Sequence, residues 1–233
     1  MVKEVFNKLG YDVINRASSL NRNLPYQLTR LISEPAPVLI DVGANEGQTI
    51  DMFSQCFPDG FIYAFEPSTE TFKRLSANHY GDNVQLFNCG LGRTREIREF
   101  LNYEDSRLSS FYAINENPEM PFRAVKLARR EQVEVDTLDA VIERHALKQI
   151  HLLKIDTQGF DFEVLLGAEH ALMDTLIDII QIELNFAQRY HGQEDPLNIS
   201  RFLNGYGFAL VDYYEIMKQD KWLGWCTALF ARK

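Results

Sequence analysis

Five short apolar runs, most of them closing on an acid or an amide, constrain this chain more than any other feature. They are VLIDV (38–42), FIYAFEP (61–67), VQLFN (84–88), IHLLKID (150–156) and DIIQIEL (178–184). VLIDV has the character of a strand buried on both faces of a parallel sheet, and the others read as strands beside it. Helical stretches separate them, over 46–56, 69–78, 137–144 and 161–173. Ser68 or Thr69 supplies an N-cap for the second of these. Asp195-Pro196 opens a further helix over 196–203, which Asn204-Gly205 ends. Phe208–Tyr214 and Thr227–Arg232 read as a closing antiparallel pair. Residues 95–135 look irregular, with short strands near 97–101 and 131–135. Such alternation implies an α/β fold, a parallel sheet with helices on both faces, and 233 residues suit one large domain.

The first 33 residues stand apart. Val5, Leu9 and Val13 recur at helical spacing, as do Leu24, Leu28 and Leu31, before Glu34-Pro35-Ala36-Pro37 breaks the pattern. The segment holds five Lys/Arg against two Asp/Glu. It reads as a helical extension (1–34) capping a core (36–232), with a membrane-surface or partner role as the alternative.

Composition removes several function classes. The 45% hydrophobic and 12% aromatic content suits a packed core. A net charge of −9 argues against a binder of phosphate backbones, so no nucleic-acid partner is expected. The three cysteines, Cys56, Cys89 and Cys226, have neither metal spacing nor the even number of a disulfide framework. With a charged N-terminus lacking a signal-like apolar core, the expectation is a cytoplasmic protein. No window approaches the ~18 apolar residues of a membrane span.

In open α/β sheets ligands bind beyond the carboxyl ends of the strands, where strand order reverses. The places to inspect are therefore Asp41–Gly47, Glu66–Ser68, Asn88–Gly92, Asp156–Gly159 and Glu183–Asn185. Gly43 and Gly47 are spaced G-x-x-x-G, and Asn45 stands where a dinucleotide fingerprint needs its second glycine. Glu66 ends the second strand, where a carboxylate accepts hydrogen bonds from two ribose hydroxyls and repels a 2′-phosphate. Asp41, at the lip of the first strand, suits a cationic ligand and discourages a pyrophosphate. S-adenosylmethionine, with a sulfonium, an amino group and a free ribose, matches this better than NAD does.

These motifs resemble the FkbM-type branch of class I S-adenosylmethionine-dependent methyltransferases. VLIDVGANEGQTI is similar to the family's first motif, IYAFEPSTETFKRL to its second and LFNCGLG to its third. EVDTLD followed by HLLKIDTQGFDFEVLLGAE resembles its most diagnostic stretch. The likeness covers residues 36–232. It implies a Rossmann-like fold, a mostly parallel seven-stranded sheet with an antiparallel last strand. It also implies that Asp41, Gly43, Asn45 and Gly47 shape the methionine side of the cofactor pocket. Glu66 would bind the ribose, with Ser68 at the same strand end. Asn88 and Cys89 would flank the adenine, Gly90 would allow close approach, and Asp156 would lie where cofactor and substrate meet. The chain departs from the family pattern at Gln158, where an acid is common.

Methyl transfer from a sulfonium is an in-line displacement, so the protein mainly aligns the reacting atoms. An alcohol acceptor also needs a base. Asp156 is the first candidate, or else a structural acid capping the next helix. Glu183 is expected to contact substrate. With Asp156 and Asn185 it forms an oxygen-rich set that Mg²⁺ uses elsewhere, although no metal ligand is assigned. His191, in the loop FAQRYHGQEDP, is a base or substrate contact. Ser109 and Ser110 either bind a polar substrate or are solvated, and Phe111, Tyr112 and Phe122 suggest a lid. The expected function is O-methylation of a hydroxyl on a sugar, polysaccharide or secondary metabolite. An NAD-dependent oxidoreductase and a non-catalytic adenosyl-cofactor-binding module are the alternatives. Oligomeric state is not legible.

Overall fold

The computed structural model describes residues 23–116, 125–219 and 221–233. Ten strands run in chain order: β1 (Val38–Val42), β2 (Phe61–Phe65), β3 (Val84–Phe87), β4 (Gly90–Leu91), β5 (Glu96–Tyr103), β6 (Leu127–Asp136), β7 (Leu152–Ile155), β8 (Ile179–Asn185), β9 (Phe208–Gln219) and β10 (Trp222–Arg232). The helices are α1 (Leu24–Leu31), α2 (Gln48–Cys56), α3 (Thr69–Ser76), α4 (Leu138–His145), α5 (Asp161–Leu166), α6 (Glu169–Met173) and α7 (Pro196–Gly205). None of the described helices is long and apolar enough to cross a membrane.

A seven-stranded sheet has the order β3-β2-β1-β7-β8-β10-β9. Its first five strands are parallel, and β10 enters antiparallel to both β8 and β9. The chain leaves β1 toward β2 and β3, then crosses back to β7, so strand order reverses between β1 and β7. The carboxyl ends there form the crevice that such a reversal creates. A second sheet, β4-β6-β5, sits over one end of this crevice.

Side chains alternate across each strand, which divides the core in two. Leu39, Ile62, Ala64, Leu152, Ile179 and Leu229 face α1, α2 and α3. Ile40, Val42, Phe65, Leu153, Ile155, Ile180 and Ile182 face α4 to α7. Each large aliphatic or aromatic side chain so buried contributes about 1.5–3 kcal/mol. Helix starts are fixed by local chemistry. Ser68 accepts from Thr71 N, Thr137 from Ala140 N, and Asp195 from Leu197 N with Pro196 in the first turn.

Several expectations are refined. Residues 161–173 form two helices rather than one. Gly167 lies so close to the Gly92 carbonyl that a Cβ there would stand 1.9 Å from its oxygen. The predicted helix over 46–56 begins at Gln48, because Gly47 caps it in the left-handed region at φ 102°. The closing hairpin is longer than its sequence pattern implies, reaching Gln219 and Trp222. Of the N-terminal segment, residues 1–22 lie outside the described residues. Leu24, Leu28 and Ile32 pack with Ile50, Phe53 and Phe57, so α1 shares the main core. Phe111 and Tyr112 do not form a lid: they pack with Phe100, Val133, Val135 and Phe160 beneath the small sheet. Phe122 lies outside the described residues.

One polar row crosses the apolar α1–α3 face. Asp41, Lys154 and Gln181 are register partners on β1, β7 and β8. Lys154 Nζ stands 2.8 Å from Asp41 Oδ1 and donates to the Gly43 carbonyl at 2.9 Å. Both residues are buried, and neither Asp41 oxygen has a further hydrogen-bond partner among the described residues. Removing one member of such a pair leaves a bare buried charge. Lys154→Met is therefore expected to cost about 3–5 kcal/mol in urea denaturation. Adding Asp41→Asn should recover most of the loss; equal stability of Lys154→Met and wild type would remove the pair from this role.

Candidate active site

The crevice holds a cavity of about 670 Å³, lined by the ends of β1, β2, β7 and β8 and by the 105–111 segment. Its floor is the turn after β1. Gly43 has φ 83° and lies under Asp156, whose carbonyl oxygen would be 2.0 Å from an added Cβ. Only glycine adopts that conformation at that approach without displacing β7. Asn45 follows at φ 48°, also left-handed. The amides of Gly43 and Ala44 both donate to the Phe65 carbonyl at 3.0 Å, tying the turn to β2.

Glu66 completes that tie. One carboxylate oxygen accepts from Asn45 N at 3.0 Å and the other from Ser68 N at 2.8 Å. Each oxygen has spare lone-pair capacity, and Glu66 lines the cavity. Burial pushes its pKa up to about 7 against the pull of those two amides. Phe65, Pro67, Leu91, Phe100 and Phe111 give the adjoining wall an apolar character.

Beyond β7 the chain turns through Gln158 and Gly159, both at positive φ. Asp161, buried, holds this turn by accepting from Thr157 N and Gly159 N, each at 2.9 Å. Asp161 thus braces the turn before α5, whose N-cap residue Phe160 makes no side-chain capping bond, and the Asp156 carboxylate is bonded instead by Gln158. The Gln158 side chain then joins three groups. Its Nε2 donates to Asp156 Oδ1 at 2.8 Å and to Glu183 Oε1 at 3.2 Å. Its Oε1 accepts from the buried Tyr190 hydroxyl at 2.8 Å. Asn185 Nδ2 donates to the same Glu183 oxygen at 2.8 Å. Burial, then the nearby Asp156 and Asp161 carboxylates, push Glu183 up to about 8. Burial likewise raises Asp161 to about 6 and lifts the Tyr190 phenol.

That arrangement bears on a divalent cation. Gln158 Nε2 faces both the Asp156 and Glu183 carboxylates and Asn185 Nδ2 faces Glu183, and among the described residues no three His, Cys, Asp or Glu side chains gather as a metal site. The two carboxylates are thereby paired through one amide.

The structure gathers Gly43, Asn45, Glu66, Gly90, Asp156 and Glu183 around one cavity. Asp41 lies beneath the floor as the partner of Lys154. Gly47 caps α2 under Tyr80, where a Cβ would stand 2.0 Å from the phenol oxygen. Ser68 spends its amide on Glu66 and its hydroxyl on α3. Asn88 pins the end of β2, donating to the Glu66 and Pro67 carbonyls at 2.9 and 3.1 Å. Cys89 packs against the core, where burial pushes its thiol up to about 11. Cys89 and the exposed His191 are not among the cavity's lining residues. Ser109 lines the cavity, whereas Ser110 is buried and donates to the Gln158 carbonyl at 2.7 Å.

Residue types and spacing did not flag Lys154, Tyr190, Arg189 or Trp225, although Lys154, Arg189 and Trp225 line the cavity. A signal existed for Lys154: a lysine inside an apolar strand needs a buried acid, and Asp41 was the candidate.

Residues 41–210 match the family model for the methyltransferase FkbM domain. The chain is 31% identical over 159 residues to Methyltransferase 1 of Beauveria bassiana, covering 63% of this chain and 64% of that protein. It therefore spans slightly less than two thirds of that relative. It is 25% identical over 174 residues to the 2-O-methyltransferase NoeI of Sinorhizobium fredii, covering 72% of this chain and 71% of that one. The solved structure of a methyltransferase FkbM from Methylobacillus flagellatus KT superimposes with a TM-score of 0.56 at 14% identity, covering 87% of this chain and 45% of that chain. That last likeness is one of fold.

The raised carboxyl groups set a pH dependence. Glu66, Asp161 and Glu183 move from ordinary values of 4.5, 3.8 and 4.5 to about 7, about 6 and about 8. Between each pair of values the folded chain keeps a proton that the unfolded chain releases, so stability falls as pH rises through that window. The thermal midpoint of the ligand-free protein is expected to be higher near pH 5.5 than near pH 8.5, by calorimetry. Glu183→Gln should flatten the upper part of the slope. A midpoint that rises over this range would contradict the burial of these acids.

Proposed function

This chain belongs to the FkbM-domain methyltransferase family, and from that premise we propose that it transfers a methyl group from S-adenosylmethionine to a hydroxyl oxygen of a sugar, polysaccharide or secondary metabolite. The observation that carries the cofactor reading is the double-anchored carboxylate of Glu66. It is held rigid by two backbone amides and opens onto the cavity with two acceptor oxygens, the complement of a vicinal ribose diol. The apolar wall beside it suits an adenine, and the open turn at Gly43–Asn45 suits the amino-acid end.

S-adenosylmethionine supplies, when bound, an electrophilic methyl carbon on a cationic sulfur. The chain's own residues do the rest. Glu66 and the β1 turn orient the cofactor. Asp156, half-exposed at the junction of cofactor and acceptor sides, accepts the proton that the acceptor hydroxyl loses. Gln158 fixes the direction in which that carboxylate points. Oxygen as the accepting atom draws support from the relative named a 2-O-methyltransferase.

The test is transfer of radiolabelled methyl from S-adenosylmethionine to a panel of sugar and polyol acceptors. Asp156→Asn is expected to lower turnover by about 10²–10⁴, the range of general-base catalysis, with S-adenosylhomocysteine affinity retained. Glu66→Gln is expected to weaken that affinity about tenfold or more. Full turnover by Asp156→Asn would remove it as the base, and unchanged affinity in Glu66→Gln would remove the ribose assignment.

A further inference from the structure

A second cavity, of about 250 Å³, shares the same two carboxylates. It lies on the α1–α3 face of the sheet. The N-terminal turn of α1 (Leu24, Pro25) and that of α2 (Gln48, Thr49, Met52) form its walls. Its floor is the carboxyl end of the polar row: Lys154, Gln181, Glu183 and Thr227, with Glu215 at the rim. Gln48, Thr49, Lys154, Asp156 and Glu183 border both cavities, so the small one is an annex of the large one.

Gln181 is the telling residue. It is 7% exposed, and its Oε1 has no hydrogen-bond partner among the described residues. A buried amide oxygen left unpaired is costly, so a sheet retains one where something else satisfies it. Apolar neighbours on the same face, Ile179 and Leu229, show that the sheet does not need an amide there. Among the described residues the annex carries acids without a spare cation. Lys154 is committed to Asp41 and the Gly43 carbonyl, whereas Asp156, Glu183 and Glu215 all border the space. Thr227 donates to Glu215 at 2.9 Å, which steadies the rim.

We propose that this annex is a subsite for a neutral polyhydroxyl unit of the acceptor, read by Gln181 and Thr227, and closed to acceptors that carry a carboxylate or phosphate. The inference rests on the methyltransferase reading for its purpose, and it narrows the acceptor to an uncharged sugar-like group. Hydroxyls donate to the Gln181 oxygen and to the acids, whereas an anion meets the Asp156 and Glu215 carboxylates with no uncommitted cation among the described lining residues.

The test is methyl NMR on the full chain, because Leu24 and Met52 line the annex while Leu108 and Ile114 line the large cavity alone. S-adenosylhomocysteine is titrated first, then methyl α-glucopyranoside or the corresponding methyl glucuronoside, each also on the cofactor-free protein. The neutral glycoside is expected to shift Leu24 and Met52, and the glucuronoside to bind at least about tenfold more weakly. Gln181→Leu should weaken the neutral glycoside about three- to tenfold, with Thr227→Val as the second variant should the first fail to fold. Equal binding of the two sugars, shifts at Leu108 and Ile114 without Leu24 and Met52, or no shift from either sugar would each overturn the annex. Sugar shifts at Leu24 and Met52 without any response to S-adenosylhomocysteine would leave the annex standing and sink the methyltransferase reading instead.

Discussion

Lys154 reaches from β7 to Asp41 on β1, and the two charges compensate one another in the buried middle of the sheet. The same ammonium holds the Gly43 carbonyl, so one side chain joins the strand where order reverses to the turn that forms the cavity floor. Everything above that point inherits its position. Gly43 fits under the Asp156 backbone, Asn45 then presents its amide to Glu66, and Glu66 reaches on to Ser68. A buried ion pair of this kind adds little net stability compared with an apolar pair. What it adds here is placement, because an unpaired charge in any alternative register is costly.

The second layer of the site is built around an amide rather than a charge. Gln158 donates to two carboxylates and accepts from a buried phenol, a combination that an acid at the same place cannot reproduce without holding a proton itself. Glu183 is further held by Asn185 and raised by its surroundings, while Asp156 remains half-exposed at the cavity. Two acids in one site therefore sit in different environments, the usual route to a division of labour between proton donor and acceptor. Tyr190 and Ser110 fix the same turn from the other side, so its left-handed residues are over-determined by contacts.

Much of this was legible in the residues themselves. The apolar runs specified the parallel strands because a strand buried on both faces leaves no alternating pattern. The glycine spacing and the acid at Glu66 marked the turn and the strand end that line the cavity, because both depend on chemistry local to a strand end. Pairings across the sheet were not legible. Lys154 lies in a run read only as a strand, and its meaning appears once register places it against Asp41. His191 shares a loop with Tyr190, yet Tyr190 turns inward and His191 stays exposed, a choice set by packing rather than by residue type. Asp161 was not singled out for a similar reason: the turn offers two amides, and the acid that reaches both is fixed by backbone geometry.

The account depends on the cavity above Gly43 and Glu66 being a pocket for an adenosyl cofactor with a free ribose. Calorimetric titration of the purified chain with S-adenosylhomocysteine, with NAD as the parallel titrant, tests that most directly. Saturable one-site binding of S-adenosylhomocysteine and no heat from NAD is the predicted result. Binding of NAD alone, or of neither compound, would contradict it.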